Sequence, residues 1–154
     1  MCDGKNKKKT VIGWIMLLLW MTFIFYMSSK SGSESSTQSN FIYKIINDMG
    51  INLGGDFEEV SIIIIRKSAH FLEYMILYIL SVNLMNKYNK SNKMIFIYSL
   101  ILVFLYACSD EIHQLFVQGR AGKFTDVCID SLGGVFGFLV VYIKNNILKF
   151  IKKV

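Results

Sequence analysis

The 154-residue chain contains no proline, so nothing in it forces a helix to break at a ring-locked φ. His70, Asp110, Asp126 and Asp130 could converge on a metal, but the three cysteines form no CxxC pair and no HExxH run occurs, so no familiar ligand spacing supports one and none is expected. Cys108 and Cys128 flank one loop, but two thiols do not establish a disulfide, and inert buried thiols are the expectation. A glycine-rich phosphate loop is missing, and nothing specific supports a Ser/His/Asp triad built on Ser68, Ser109 or Ser131. The residue alternation of a β-barrel is missing too, which leaves helices as the way to cross a membrane. Acid is in short supply: 11 Asp and Glu face 17 Lys and Arg, for a net charge of +6. In a soluble chain that excess would suggest nucleic acid. Here the lysines lie in short segments beside apolar runs rather than on one amphipathic face, so nucleic acid is not an expected partner.

Apolar residues are what the chain has in quantity: 53% of it is hydrophobic and the mean hydropathy is +0.43. At this length, that describes one small membrane domain. Four apolar runs, at 11–27, 68–85, 94–108 and 127–143, approach the ~20 residues that a bilayer requires once their flanks are included. The expected fold is therefore all-α and polytopic, with four transmembrane helices and the lipid bilayer as its first partner. Lys5, Lys7, Lys8, Lys9, Lys87, Lys90, Lys93, Lys144, Lys149, Lys152 and Lys153 fall on one side with Asp3 as the single acid. Lys30, Lys44, Arg66, Lys67, Arg120 and Lys123 fall on the other with the remaining acids. The positive side is cytoplasmic, which puts both termini inside and the polar residues of interest outside. KNKKK ahead of the first run has the charge of a signal-peptide leader, but the run exceeds the ~7 to 15 apolar residues of such a leader. Cleavage would also spoil the charge pattern, so an uncleaved anchor is expected.

Between the first two spans, SSKSGSESSTQS is expected to be a flexible connection, being too polar to form a core. Phe41, Ile42, Ile45, Ile46 and Met49 then recur at helical spacing with Lys44, Asn47 and Asp48 opposite, the pattern of a short amphipathic helix lying in the interface. Asp56 and Glu59 have the spacing of an N-cap and its N3 partner, so the second long helix is expected to begin before Arg66 and run about thirty residues. Its segment RKSAHFLEY places Arg66, His70, Glu73 and Leu77 on one face, with Lys67 and Tyr74 close beside it. Ionisable groups at the mouth of a span are costly and are read first as functional. Farther on, SDEIHQ brings Asp110, His113 and Gln114 together on one helix face beside Glu111, and Gly119, Arg120, Ala121 and Gly122 form a turn. Asp126, Asp130, Gly133 and Gly137 make one stripe on the last helix, whose GxxxG spacing permits close packing and presses the carboxylates toward the second long helix.

Each of these residues also has a structural reading. Arg66 and Lys67 are placed to anchor a span at lipid headgroups. His70 can be a buried neutral ring bonded to Glu73 or to a carbonyl. Glu73, about a turn deeper, should be paired or protonated, with Arg66 or Arg120 as the cheapest partner.

RKSAHFLEY, SDEIHQLFVQGR and DVCIDSLGGVFG, in this order after the serine pair Ser28 and Ser29, resemble the VanZ-like family of small bacterial membrane proteins, named for a protein that raises resistance to teicoplanin. The resemblance covers nearly the whole chain. It implies a polar signature at Arg66, Lys67, His70, Glu73, Tyr74, Asp110, Glu111, Gln114, Arg120, Asp126 and the glycines after Asp130. The chain departs from the family pattern at Gln118, where proline is frequent, and at Asp130, where asparagine is also usual. Membership implies action at the outer face of the bacterial cytoplasmic membrane and leaves the reaction open. Two readings follow. In the first, Arg66, Lys67 and Arg120 hold the phosphate or pyrophosphate of a lipid-linked envelope precursor, and Glu73, Tyr74, Glu111, Gln114 and Asp130 complete the substrate site. His70, Asp110 and Asp126 then transfer protons. In the second, ion pairs among Arg66, Glu73, Arg120 and Asp126 hold the bundle together and the protein binds the glycopeptide, a headgroup or a partner protein without chemistry. No cofactor is named by the sequence, and a transporter is the weaker third option for so few spans.

Overall fold

The computed structural model describes residues 3–50, 58–88 and 91–151. Five helices account for almost all of them: α1 (Asp3–Ser28), α2 (Gly32–Asp48), α3 (Glu58–Met85), α4 (Asn92–Gln114) and α5 (Phe124–Ile151). No strand occurs among the described residues, in keeping with the all-α expectation. α3 is central and packs against each of the other four helices, most extensively against α5. The core gathers Leu17 and Ile24 of α1, Tyr74, Leu77, Tyr78, Val82 and Leu84 of α3, Ile95, Val103 and Ala107 of α4, and Val127 of α5. Leu18, Leu19, Leu105 and Leu139 are exposed on the outside of the bundle. An apolar exterior around an apolar core suits a lipid solvent better than water.

Among the described residues, three helices are long and apolar enough to cross a membrane, over Asn6–Ser28, Asn92–Gln114 and Phe124–Ile151. The expectation of four such spans is thus corrected: α3 is not among them. Its first sixteen residues carry Glu58, Glu59, Arg66, Lys67, His70 and Glu73, which lower its hydropathy, and its place amid four neighbours takes over much of the shielding that lipid would give. Its length of 28 residues does match the long helix expected there. The Asp56 cap lies outside the described residues.

A second correction concerns the serine-rich segment, which is helical rather than a flexible connection. Ser31 caps α2: its hydroxyl accepts from the Glu34 N–H, and the Glu34 carboxylate accepts from the Ser31 N–H at 2.9 Å. This reciprocal capping box holds the Glu34 carboxyl below its usual range and satisfies two of the donors a helix start leaves open. Ser35, Ser39 and Tyr43 then recur every fourth residue and are buried, while Phe41, Ile42, Ile45 and Met49 are exposed. Small hydroxyl side chains let α2 lie close to α3, the helix it packs against.

α3 and α5 approach each other closely. A Cβ on Gly133 would stand 2.2 Å from the Phe71 carbonyl oxygen, and one on Gly137 would stand 2.9 Å from that of Met75. The GxxxG stripe thus brings backbone against backbone, as its spacing implies. Gly133→Ala is expected to force the helices apart and to lower stability by about 1–3 kcal/mol, read as an earlier melt of the detergent-solubilised protein by circular dichroism. An unchanged melting curve would mean that this contact yields freely. Ser31→Ala should cost about 1 kcal/mol, confined to α2, and faster hydrogen exchange in the first turns of that helix is the readout.

Candidate functional site

All the elements that carry candidate site residues meet at one end of the bundle: the C-termini of α1 and α4, the N-terminal halves of α3 and α5, and the start of α2. Asp110 on α4 is at the centre. It is only 3% exposed, and its Oδ2 accepts from the Ser28 hydroxyl at 2.7 Å and from the Gln114 amide at 3.1 Å. Gln114 also donates to Glu111 at 3.2 Å, and Glu111 accepts the Lys123 N–H at 2.8 Å. This chain of bonds fixes the loop 115–123 to the helix it leaves. Gly119, at φ +72°, makes the turn in a conformation that a side chain would strain, and a Cβ on Gly122 would press against the Glu111 carbonyl oxygen.

Arg120 leaves that loop and reaches back. Its Nε donates to the Lys30 carbonyl at 3.1 Å and its Nη1 lies 3.5 Å from the Gln114 carbonyl oxygen. Burial, and next the neighbouring Arg66, push its pKa down against the pull of Asp110, Glu111 and Asp126, but a guanidinium remains charged regardless. Across the site, Lys67 and Asp126 pair at 2.5 Å, both about one-third exposed. The carboxylates of the α5 stripe are thus pressed toward α3, as the spacing implied.

These groups enclose a cavity of about 180 Å³ with Arg66, Lys67, Arg120 and Lys123 on its walls, together with His70, Glu111, Gln114, Asp126 and Asp130. Glu73 does not reach it and instead lines, with Arg66 and His70, a smaller neighbouring cavity of about 70 Å³ under α2. Tyr74 is fully buried beneath, its ring near that of Tyr106. The eleven candidate residues therefore divide: eight on the cavity wall, Asp110 directly behind it, and Glu73 and Tyr74 below.

The expected pairing of Glu73 with Arg66 or Arg120 is not formed. Arg120 is occupied by the Lys30 carbonyl, and Glu73 Oε2 instead faces His70 Nδ1 at 3.4 Å, in ion-pair range but without hydrogen-bond geometry. Among the described residues, Arg66 makes no hydrogen bond and no ion pair, and Asp126 pairs with Lys67 and with no arginine. The ion-pair network that would account for every charge structurally is therefore absent among the described residues. Buried polar atoms without hydrogen-bond partners gather here: His70 Nδ1, Glu73 Oε2, Tyr74 Oη, Asp110 Oδ1 and Asp130 Oδ2. Such atoms are rare in native folds and call for an explanation.

His113 lies apart from its helix neighbours in the site, stacked on Phe25 with its Nε2 3.1 Å from the Ser29 hydroxyl. Cys108 and Cys128 are both free. Cys128 is exposed, not buried as expected of an inert thiol. Ser28 and Lys123 are the site residues that sequence reasoning left without a role. The position of Ser28 at the end of an apolar run was the available signal, since a hydroxyl there has few partners besides a neighbouring span.

No curated protein and no solved structure matches the chain. The profile of the VanZ/LLP1 family does, over residues 13–145, a range that holds every candidate site residue; the chain belongs to the VanZ/LLP1 family.

Proposed function

We propose that this chain acts at the outer face of the bacterial cytoplasmic membrane, with both termini cytoplasmic, in protection against teicoplanin-type glycopeptides, and that the cavity at that face takes an anionic headgroup. The observation that carries the reading is the Arg66 guanidinium. It lines the cavity with Lys67, Arg120 and Lys123 and makes no hydrogen bond or ion pair among the described residues. A guanidinium offers five donors in a plane suited to phosphate, and an anion in the cavity would use them. α2 fits this placement as an interfacial helix, its exposed Phe41, Ile42, Ile45 and Met49 turned to lipid.

A phosphate or pyrophosphate of a lipid-linked envelope precursor is the substrate class that such a cavity fits. His70 and Asp110 keep unengaged atoms beside it and are the groups free to move a proton, whereas Asp126 is held by Lys67 and serves to position that lysine. Binding of the headgroup without chemistry is the second reading, favoured by the absence of any serine or cysteine on the cavity wall.

Teicoplanin susceptibility of a sensitive Gram-positive host tests the proposal. Expression of the wild-type chain should raise the inhibitory concentration. Arg66→Gln and Asp110→Asn, at equal membrane abundance by immunoblot, should each return it at least about fourfold toward the empty-vector value, in line with the loss of one charge-assisted contact. Undiminished protection by Arg66→Gln would overturn the anion reading, and no protection by the wild type would overturn the glycopeptide role.

A further inference from the structure

Three ionisable side chains from three helices converge behind the cavity although no sequence spacing links them. One ligand atom each from His70 of α3, Asp110 of α4 and Asp130 of α5 lie within 4.8 Å of one another. We infer that His70, Asp110 and Asp130 form a binding site for a divalent transition-metal ion of the zinc or manganese class.

The two carboxylates are 3% and 1% exposed, and each turns one oxygen, Asp110 Oδ1 and Asp130 Oδ2, to no hydrogen-bond partner. Among the described residues neither belongs to a salt bridge. Two carboxylates side by side in so dry a place repel each other and lack the solvation that an ionised group requires. A dication between them answers both conditions at once, with the imidazole as third ligand. Donors on a common ion with bonds of 2.0–2.2 Å lie at most about 4.4 Å apart, so small side-chain rotations close the trio. One imidazole nitrogen with two carboxylate oxygens suits zinc or manganese better than the softer metals that thiolates select.

The surroundings have the form of an outer shell. Glu73 Oε2 stands 3.4 Å from His70 Nδ1 without hydrogen-bond geometry, so with Nε2 on an ion a small rotation of the ring would let Nδ1–H donate to this carboxylate. That carboxylate–histidine–metal arrangement orients the ring and raises its basicity. Ser28 and Gln114 both donate to Asp110 Oδ2, fixing the carboxylate while its Oδ1 stays available. His70 and Asp130 also line the cavity, so an ion held by them would present its open coordination position to whatever the cavity contains. The site shares His70 and Asp110 with the proposed headgroup cavity, and with an ion in place these two serve as its ligands rather than as proton carriers; metal content, read without any antibiotic, separates the two proposals.

The test is metal content and metal-dependent stability of the full chain in detergent. Protein stripped with EDTA, reloaded with Zn²⁺ or Mn²⁺ and desalted should hold one ion per chain by mass spectrometry, and its melting temperature should rise with Zn²⁺ or Mn²⁺ but not with Mg²⁺ or Ca²⁺. Asp110→Asn, Asp130→Asn and His70→Gln should each lose the ion, and Glu73→Gln should keep it with affinity reduced about 10- to 100-fold. Arg66→Gln, which faces the cavity but supplies no ligand, should retain it in full. Wild-type protein that is folded by circular dichroism yet holds no more Zn²⁺ or Mn²⁺ than the Asp110→Asn/Asp130→Asn double variant would overturn the metal site and leave a proton-sharing carboxyl pair in its place. Full metal binding without antibiotic protection would leave the site standing and remove only the glycopeptide role.

Discussion

The close approach of α5 to α3 is the constraint on which the rest of the structure depends. Gly133 and Gly137 let the backbone of one helix settle against the carbonyls of Phe71 and Met75 on the other. Each glycine lies on the stripe that begins with Asp126 and Asp130, so the same contact that packs the bundle sets how near these carboxylates come to Lys67 and His70. In a lipid solvent this packing cannot rest on the hydrophobic effect, because a lipid tail is as apolar as a leucine. Close van der Waals contact takes its place, and a polar site can be assembled because that contact is short.

Polar bonding secures the same end of the bundle from the loop side. Ser28, Asp110, Gln114, Glu111 and the Lys123 N–H form a continuous run of hydrogen bonds across the end of α1, the last turn of α4 and the start of α5. Beside that run, buried atoms of His70, Glu73, Tyr74 and Asp130, and the second carboxylate oxygen of Asp110, make no hydrogen bond. The contrast between made supporting bonds and open central ones is the feature on which the proposed ion and headgroup sites rest.

Much of the bundle was legible in the sequence because hydropathy reports directly on lipid. α1, α4 and α5 were visible as apolar runs, and the GxxxG stripe gave both the contact and the placement of Asp126 against α3. Hydropathy misled at α3, whose charged first half belongs to the site while its second half is buried by protein. It misled again at 28–39, where serine-rich composition suggested a connection; the signal for a helix was local, in the Ser31 and Glu34 pair, and the serines proved to be an inward face. Of the site, the membership of His70, Asp110 and Asp130 could be read residue by residue, and their convergence could be raised together with Asp126; which of the four meet could not be read, since no periodicity relates positions on three different helices.

The capped start of α2 is joined to the turn after α4 at close quarters. The Gly32 N–H donates to the Gln118 carbonyl at 3.1 Å, and a Cβ on Gly32 would stand 2.1 Å from the Gly119 carbonyl oxygen. Two chain segments in such contact move as one body. α2 also exposes Phe41, Ile42 and Ile45 while it packs against α3. A shift of α2 would therefore carry with it Gly119 and Arg120, which form part of the cavity wall, so the shape of the cavity is tied to the position of a helix that stands outside it.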